Sequence, residues 1–211
     1  LPALRIDLGE LYFKAGGEDT AWQEWDSALE QYGTSPEIYR LLSQALLRSR
    51  KVEDAIDVLE RGAGKLGKQK LATDLAAAYT ANLDFGKAVE YYLLHLKANP
   101  NQYNFISRMI FNFPAAGRED EIIDAIKRER GNPEVDKLLA GYLFSLGRYS
   151  DALEYTARID KEGEEYPKLA HTVQIEGEYQ IAAEAYRLAA GKIGKTPQIL
   201  SGMAYVYRLQ G

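Results

Sequence analysis

Along this chain apolar side chains return every three and four residues, and no stretch alternates apolar with polar at every second position. The first rhythm is that of a helix with one buried stripe, and the second would mark a half-buried strand. The pattern therefore predicts helices throughout. Two kinds of punctuation cut it into pieces. Ser35-Pro36, Asn99-Pro100, Asn132-Pro133 and Thr196-Pro197 each set a capping side chain ahead of a proline. Such a pair opens a helix, because the cap accepts an orphan N–H and a proline in the first helical position has none to lose. Gly16, Gly117, Gly147 and Gly177 fall at matching places between paired helices, where the backbone has to turn left-handed.

A longer period lies over the short one. The stretch Leu8-Gly9-x-x-Tyr12, Gly16, Ala21-x-x-x-Trp25-x-x-Ala28, Ser35-Pro36 is echoed down the chain. The echoes include Leu42-Ser43 with Leu46, Leu75-Ala76 with Tyr79, Leu139-Ala140 with Leu143, Leu169-Ala170 with Val173, and Met203-Ala204 with Tyr207. Aligning Ala21, Ala55, Ala88, Ile122, Ala152 and Ala182 gives steps of 34, 33, 34, 30 and 30 residues. Small residues let two helices touch, and large ones fill the space beside them. On these residues the chain resembles the tetratricopeptide repeat family, whose period is 34 residues. The two shorter steps have lost about one helical turn of 3.6 residues.

The resemblance implies an all-α fold, a right-handed α-α superhelix of antiparallel helix pairs. First helices would line its concave face and second helices its convex face. One array is expected over 1–211, with repeats near 2–35, 36–68, 69–102, 103–132, 133–162 and 163–196 and a half repeat at 197–211. Without an initiator Met, and stopping half-way through a repeat, the sequence reads as an excerpt of a longer protein. The fourth repeat departs most. Pro114 is placed in the last turn of its first helix, and Ile122 stands where the others have alanine. Proline there frays the helix and isoleucine spreads the pair, so a local change of geometry is expected.

Composition adds boundaries rather than a function. With 46% apolar and 27% charged residues the 211-residue chain is of ordinary globular composition. No apolar run approaches the roughly 18 to 20 residues of a membrane span. The expected protein is soluble, cytoplasmic or periplasmic, with no membrane insertion. A net charge of −5 argues against a nucleic-acid partner. The absence of cysteine removes thiolate chemistry and disulfides together.

Candidate chemistry resolves into structure. Gly191-Lys192-Ile193-Gly194-Lys195-Thr196 imitates a phosphate loop, but such a loop follows a strand and opens a helix. Here the segment ends a helix, and a near copy at Gly64-Lys65-Leu66-Gly67-Lys68 occupies the same place in the second repeat. Both are read as helix C-terminal turns. His95 and His171 lie on different repeats, outside any metal-spaced cluster. His95 falls at a small-residue packing position and is expected to be buried or half-buried. No catalytic, cofactor or metal residues are expected, and the protein is read as no enzyme.

Acidic residues gather on the second helices, which leaves the inner face close to neutral with basic points. Side chains expected to face inward are Phe13, Arg40, Gln44, Arg48, Thr73, Ala77, Asn104, Ser107, Phe111, Lys137, Phe144, His171 and Tyr205. Aromatics and arginines among amides and hydroxyls suit an extended or helical peptide. The lysine and asparagine pair of chaperone-clamping members of the family is missing: Ile6 and Glu10, Arg40 and Gln44, and Lys137 and Gly141 stand there instead. The expected function is a protein–protein interaction scaffold holding a peptide or partner helix in the concave groove. The alternatives are an architectural spacer or a module that self-associates through its array ends, and a single-stranded RNA-binding repeat. The partner itself is not written in the sequence.

Overall fold

The computed structural model describes residues 2–129 and 131–210. The described residues form thirteen α-helices, joined by turns and two short 3-10 segments, and contain no strand. They fall into two compact units, Leu1–Arg128 and Glu129–Gly211. The first holds α1 (Pro2–Lys14), α2 (Glu18–Tyr32), α3 (Pro36–Arg48), α4 (Val52–Leu66), α5 (Ala72–Ala81), α6 (Phe85–Ala98), α7 (Tyr103–Phe111) and α8 (Glu119–Arg128). The second holds α9 (Pro133–Ser145), α10 (Tyr149–Ile159), α11 (Glu165–Ile175), α12 (Tyr179–Ile193) and α13 (Pro197–Gln210).

Helices pack as consecutive pairs: α1 with α2, α3 with α4, α5 with α6, α9 with α10 and α11 with α12. The small-against-large rule explains why. Ala21, Trp25 and Ala28 are wholly buried, and Gly9 lies so close that an added Cβ would come within 2.2 Å of Trp25 Nε1. That indole N–H donates to the Ile6 carbonyl at 3.1 Å, so the ring is fixed in both apolar and polar senses. Gly62 meets the ring of Tyr39 in the same way, with 2.6 Å to its Cγ. The expected small residues Ser43, Ala55, Ala76, Ala88, Ala140, Ala152, Ala170 and Ala182 are all buried. Ser35, Asn132 and Thr196 cap their helices as expected, whereas Asn99 turns its amide back to the His95 carbonyl and Pro100 opens a 3-10 turn ahead of α7.

The turns within the pairs share one backbone device. Gly16, Gly117, Gly147 and Gly177 have φ of 86°, 81°, 72° and 85°. At the equivalent places in the second and third pairs the chain puts Arg50 and Leu83 into the same left-handed region, at 60° and 59°.

The fourth pair departs from the rule, and in one respect from its expected shape. α7 ends at Phe111, so Pro114 lies beyond the helix rather than in its last turn. Phe113, just past that end, lays its ring on Phe85 at 5.2 Å and near Tyr92 at 6.1 Å. With this ring inserted, and with Ile122 in place of the alanine of the other pairs, α8 packs on α6 rather than on α7.

In the second unit α13 docks on α12 through Ile199, Gly202 and Val206. An added Cβ at Gly202 would lie 2.2 Å from Tyr186 Cζ. Ala204 and Tyr207, which the repeat pattern marks for a core, are exposed. They occupy the side that a paired second helix covers in the earlier repeats.

Candidate functional site

The first helices of successive pairs touch directly in the first unit, α1 on α3 and α3 on α5. Their shared face carries two ion pairs that cross from one pair to the next. Glu10 is buried on α1 and receives Arg48 of α3 through both carboxylate oxygens, Nη2 to Oε2 at 2.5 Å and Nε to Oε1 at 3.3 Å. Lys14, one turn along α1, adds a second cation at 2.8 Å. The Arg48 guanidinium, helped by Lys14, outweighs desolvation and holds the Glu10 carboxyl at about 2, against an ordinary 4.5. The same bond pushes Arg48 further up.

Arg40 repeats the device one pair on. Its Nε meets Asp74 Oδ2 of α5 at 2.9 Å, its Nη2 donates to the Lys70 carbonyl at 2.6 Å, and Glu37 lies 3.7 Å away. Both arginines expected to await a ligand are therefore engaged inside the protein, stapling α3 to its neighbours. Glu10 and Asp74, the acids that hold them, are not among the side chains expected to line the face. A signal existed: an acid stands 34 residues after Arg40 and another 38 before Arg48, close to one repeat away in each case.

Between these staples the face is polar and uncharged. Gln44 and Ala77 are exposed and Thr73 is half-buried, on α3 and α5. The other expected residues lie as follows. Phe13 is half-buried against Trp25, ring centres 5.9 Å apart, with Lys51 Nζ 5.5 Å from its own centre. Asn104, Ser107 and Phe111 are on α7, which packs on α6, and Ser107 bonds back to the Asn104 carbonyl at 3.4 Å. In the second unit Lys137 is exposed on α9, and Phe144 is half-buried edge-on to Tyr149 at 5.2 Å. His171 is exposed on α11, and Tyr205 is exposed on α13 with the Arg208 guanidinium 5.5 Å from its ring centre. The structure thus brings Arg40, Gln44, Arg48, Thr73 and Ala77 together on touching helices.

A second polar cluster joins α4, α5 and α6. Glu60 Oε1 accepts from Tyr79 at 2.9 Å and from Tyr91 at 2.6 Å, and the two rings stack 5.7 Å apart. Burial first, and then the carboxylate, push both phenols far up, so both stay protonated donors. His95 is half-buried, its Nε2 3.2 Å from Gln102 Oε1. The two lysine–glycine segments close helices as expected, Gly67 after α4 with φ 98° and Gly194 after α12 with φ 84°. No described helix is long and apolar enough to cross a membrane.

Small residues set against large ones at this spacing make the described residues an all-α helical repeat, and the pattern resembles that of the tetratricopeptide repeat. The chain is similar to solved structures of that kind. MamA of strain AMB-1 shares 22% identity over 77% of this chain and 92% of that one, with a TM-score of 0.42. The C-terminal part of a TPR repeat-containing protein from Cytophaga hutchinsonii shares 14% over 97% and 88%, with a TM-score of 0.41. A tetratricopeptide repeat protein from Parabacteroides merdae shares 15% over 98% of each chain, with a TM-score of 0.36. No family model and no curated protein matches the chain.

Proposed function

We propose that the protein is a non-enzymatic interaction scaffold, its repeats reading on as one array, and that the face shared by α3 and α5 holds a peptide or partner helix of another protein. The observation that carries this is the strip of Gln44, Thr73 and Ala77. It offers an amide, a hydroxyl and open space between two fixed ion pairs. Locked arginines and stacked helices mean that little freedom is lost on binding, so many weak contacts suffice. The paired arginines frame the strip rather than reach for the ligand, and nucleic acid is no partner in this reading. The remaining expected contacts, Phe13, Asn104, Ser107, Phe111, Lys137, Phe144, His171 and Tyr205, extend the proposal to the other first helices.

The test fills the space without touching the ion pairs. Affinity capture from the native lysate is compared, by mass spectrometry, for the full protein and for Ala77→Trp. Loss of a specific protein partner in the variant, with circular dichroism unchanged, is the expected outcome. An identical set of captured proteins from both would remove the α3–α5 face from the reading.

A further inference from the structure

On the other side of the first unit a cleft of about 570 Å³ opens between α2 and α4, lined by Asp26, Leu29, Glu30, Tyr39, Arg61 and Lys65. Its floor is apolar and firm. Leu29 and Tyr39 are buried, and the Tyr39 hydroxyl is tied to the Gly33 carbonyl at 3.1 Å. Its rims are charged and opposite. Asp26 and Glu30 stand one turn apart on α2, Arg61 and Lys65 one turn apart on α4, and all four are exposed. Other charges of this unit reach across to a neighbouring helix, as Arg5 does to Glu24 at 3.0 Å and Lys51 to Glu18 at 2.8 Å. Among the described residues these four make no such pair, so an acidic edge and a basic edge face outward side by side.

We propose that this cleft is the contact by which two copies of the protein form a two-fold dimer. As second helices of successive pairs, α2 and α4 run in the same direction. A two-fold axis laid along the cleft then sets α2 of each copy over α4 of the other. Asp26 and Glu30 of one copy meet Arg61 and Lys65 of the second, and the same contacts are made in reverse. Equal four-residue spacing on both helices puts both levels in register. An axis across the cleft would set acid on acid, so the charge pattern selects a single arrangement. A simple ion satisfies one rim and leaves the other. A second copy carries the complementary rim for both, which is what an isologous contact requires. Exposed charge pairs are individually weak and screened by salt, so the dimer is a weak, salt-sensitive one whose partner choice rests on charge.

Sedimentation equilibrium on the full protein tests this with two exposed charge-reversal variants, D26K/E30K and R61E/K65E. At low salt the unaltered protein should dimerise, each variant alone should be monomeric, and their equimolar mixture should dimerise again. About 0.5 M salt, where screening acts within about 4 Å, should disperse the dimer. Circular dichroism shows that the variants are folded. A protein that stays monomeric up to about 1 mM would overturn the proposal, since no useful affinity lies beyond that. So would a dimer indifferent to both variants, which would place the contact elsewhere, as on the exposed Leu4, Leu11 or Leu200. Folded variants whose mixture stays monomeric would overturn it equally.

Discussion

Glu10 is a carboxylate buried on a helix face that the repeat pattern leaves open to partners, and it survives there because two cations are brought to it. Its carboxyl is held at about 2, below the ordinary 4.5, so its contribution to stability is complete above about pH 4.5 and is lost as pH falls toward 2. Taken whole, such a depression corresponds to about 3 kcal/mol. Arg48 and Lys14 are half in water, with side chains 54% and 62% exposed, and screening lowers that to about 1–2 kcal/mol. Glu10→Gln should therefore unfold at lower urea near neutral pH, and its deficit should close as pH drops through that window. Urea titrations at a series of pH values check both statements, and a deficit constant with pH would assign the loss to packing. The fate of Arg40 and Arg48 was not legible from their own positions. Which acid a long side chain reaches depends on the rotation of the next helix, and helical spacing alone fixes only the face.

At the scale of the element, the small residues at the crossing points were readable, because a touching helix pair leaves them no alternative. The left-handed turns were readable only where glycine marks them. Arg50 and Leu83 hold the same conformation with a Cβ that disfavours it, so Arg50→Gly and Leu83→Gly should each stabilise the protein, by up to ~1 kcal/mol. Thermal melts of the two variants would show it, and Gly16→Ala should move the other way by a comparable amount. The fourth pair was legible as an irregularity and not as a shape. A proline and an isoleucine announce that the pair is disturbed, but the resolution depends on Phe113 finding the ring of Phe85, a contact with no local signature. Phe113→Ala should cost about 2 kcal/mol, less than a wholly buried ring, and should loosen α8 as well as α7. Hydrogen exchange confined to α7 would count against that coupling.

At the scale of the whole molecule, stability is assembled from contacts between successive elements, so it need not be uniform along the chain. The pairs α3–α4 and α5–α6 have neighbours on both sides and contain many wholly buried side chains, including Leu42, Leu59, Leu75 and Leu93. α1 presents Leu4 and Leu11 to solvent at 62% and 64% exposure, and α13 presents Leu200 and Tyr207. Amide exchange followed by mass spectrometry should be slowest across α3–α6 and fastest in α1 and α13. A uniform profile would mean one cooperative core in place of a stack. The all-helical fold was legible in the sequence at this scale because each repeat restates it. The division into two compact units was not, since the period runs through residue 128 with only a shortened step.

The ion pairs between neighbouring helix pairs also give the repeats an order. Donor and acceptor sit in different copies, so each copy is addressed to the one beside it. Excising residues 36–68 would keep the period and the hydrophobic stripe, yet would bring Ala81 to the place where Arg48 meets Glu10. The shortened chain could still coil into helices, but a carboxylate would be left facing a methyl group. Segments that look interchangeable by their spacing are therefore not interchangeable in position: like numbered stones in an arch, each fits beside one neighbour.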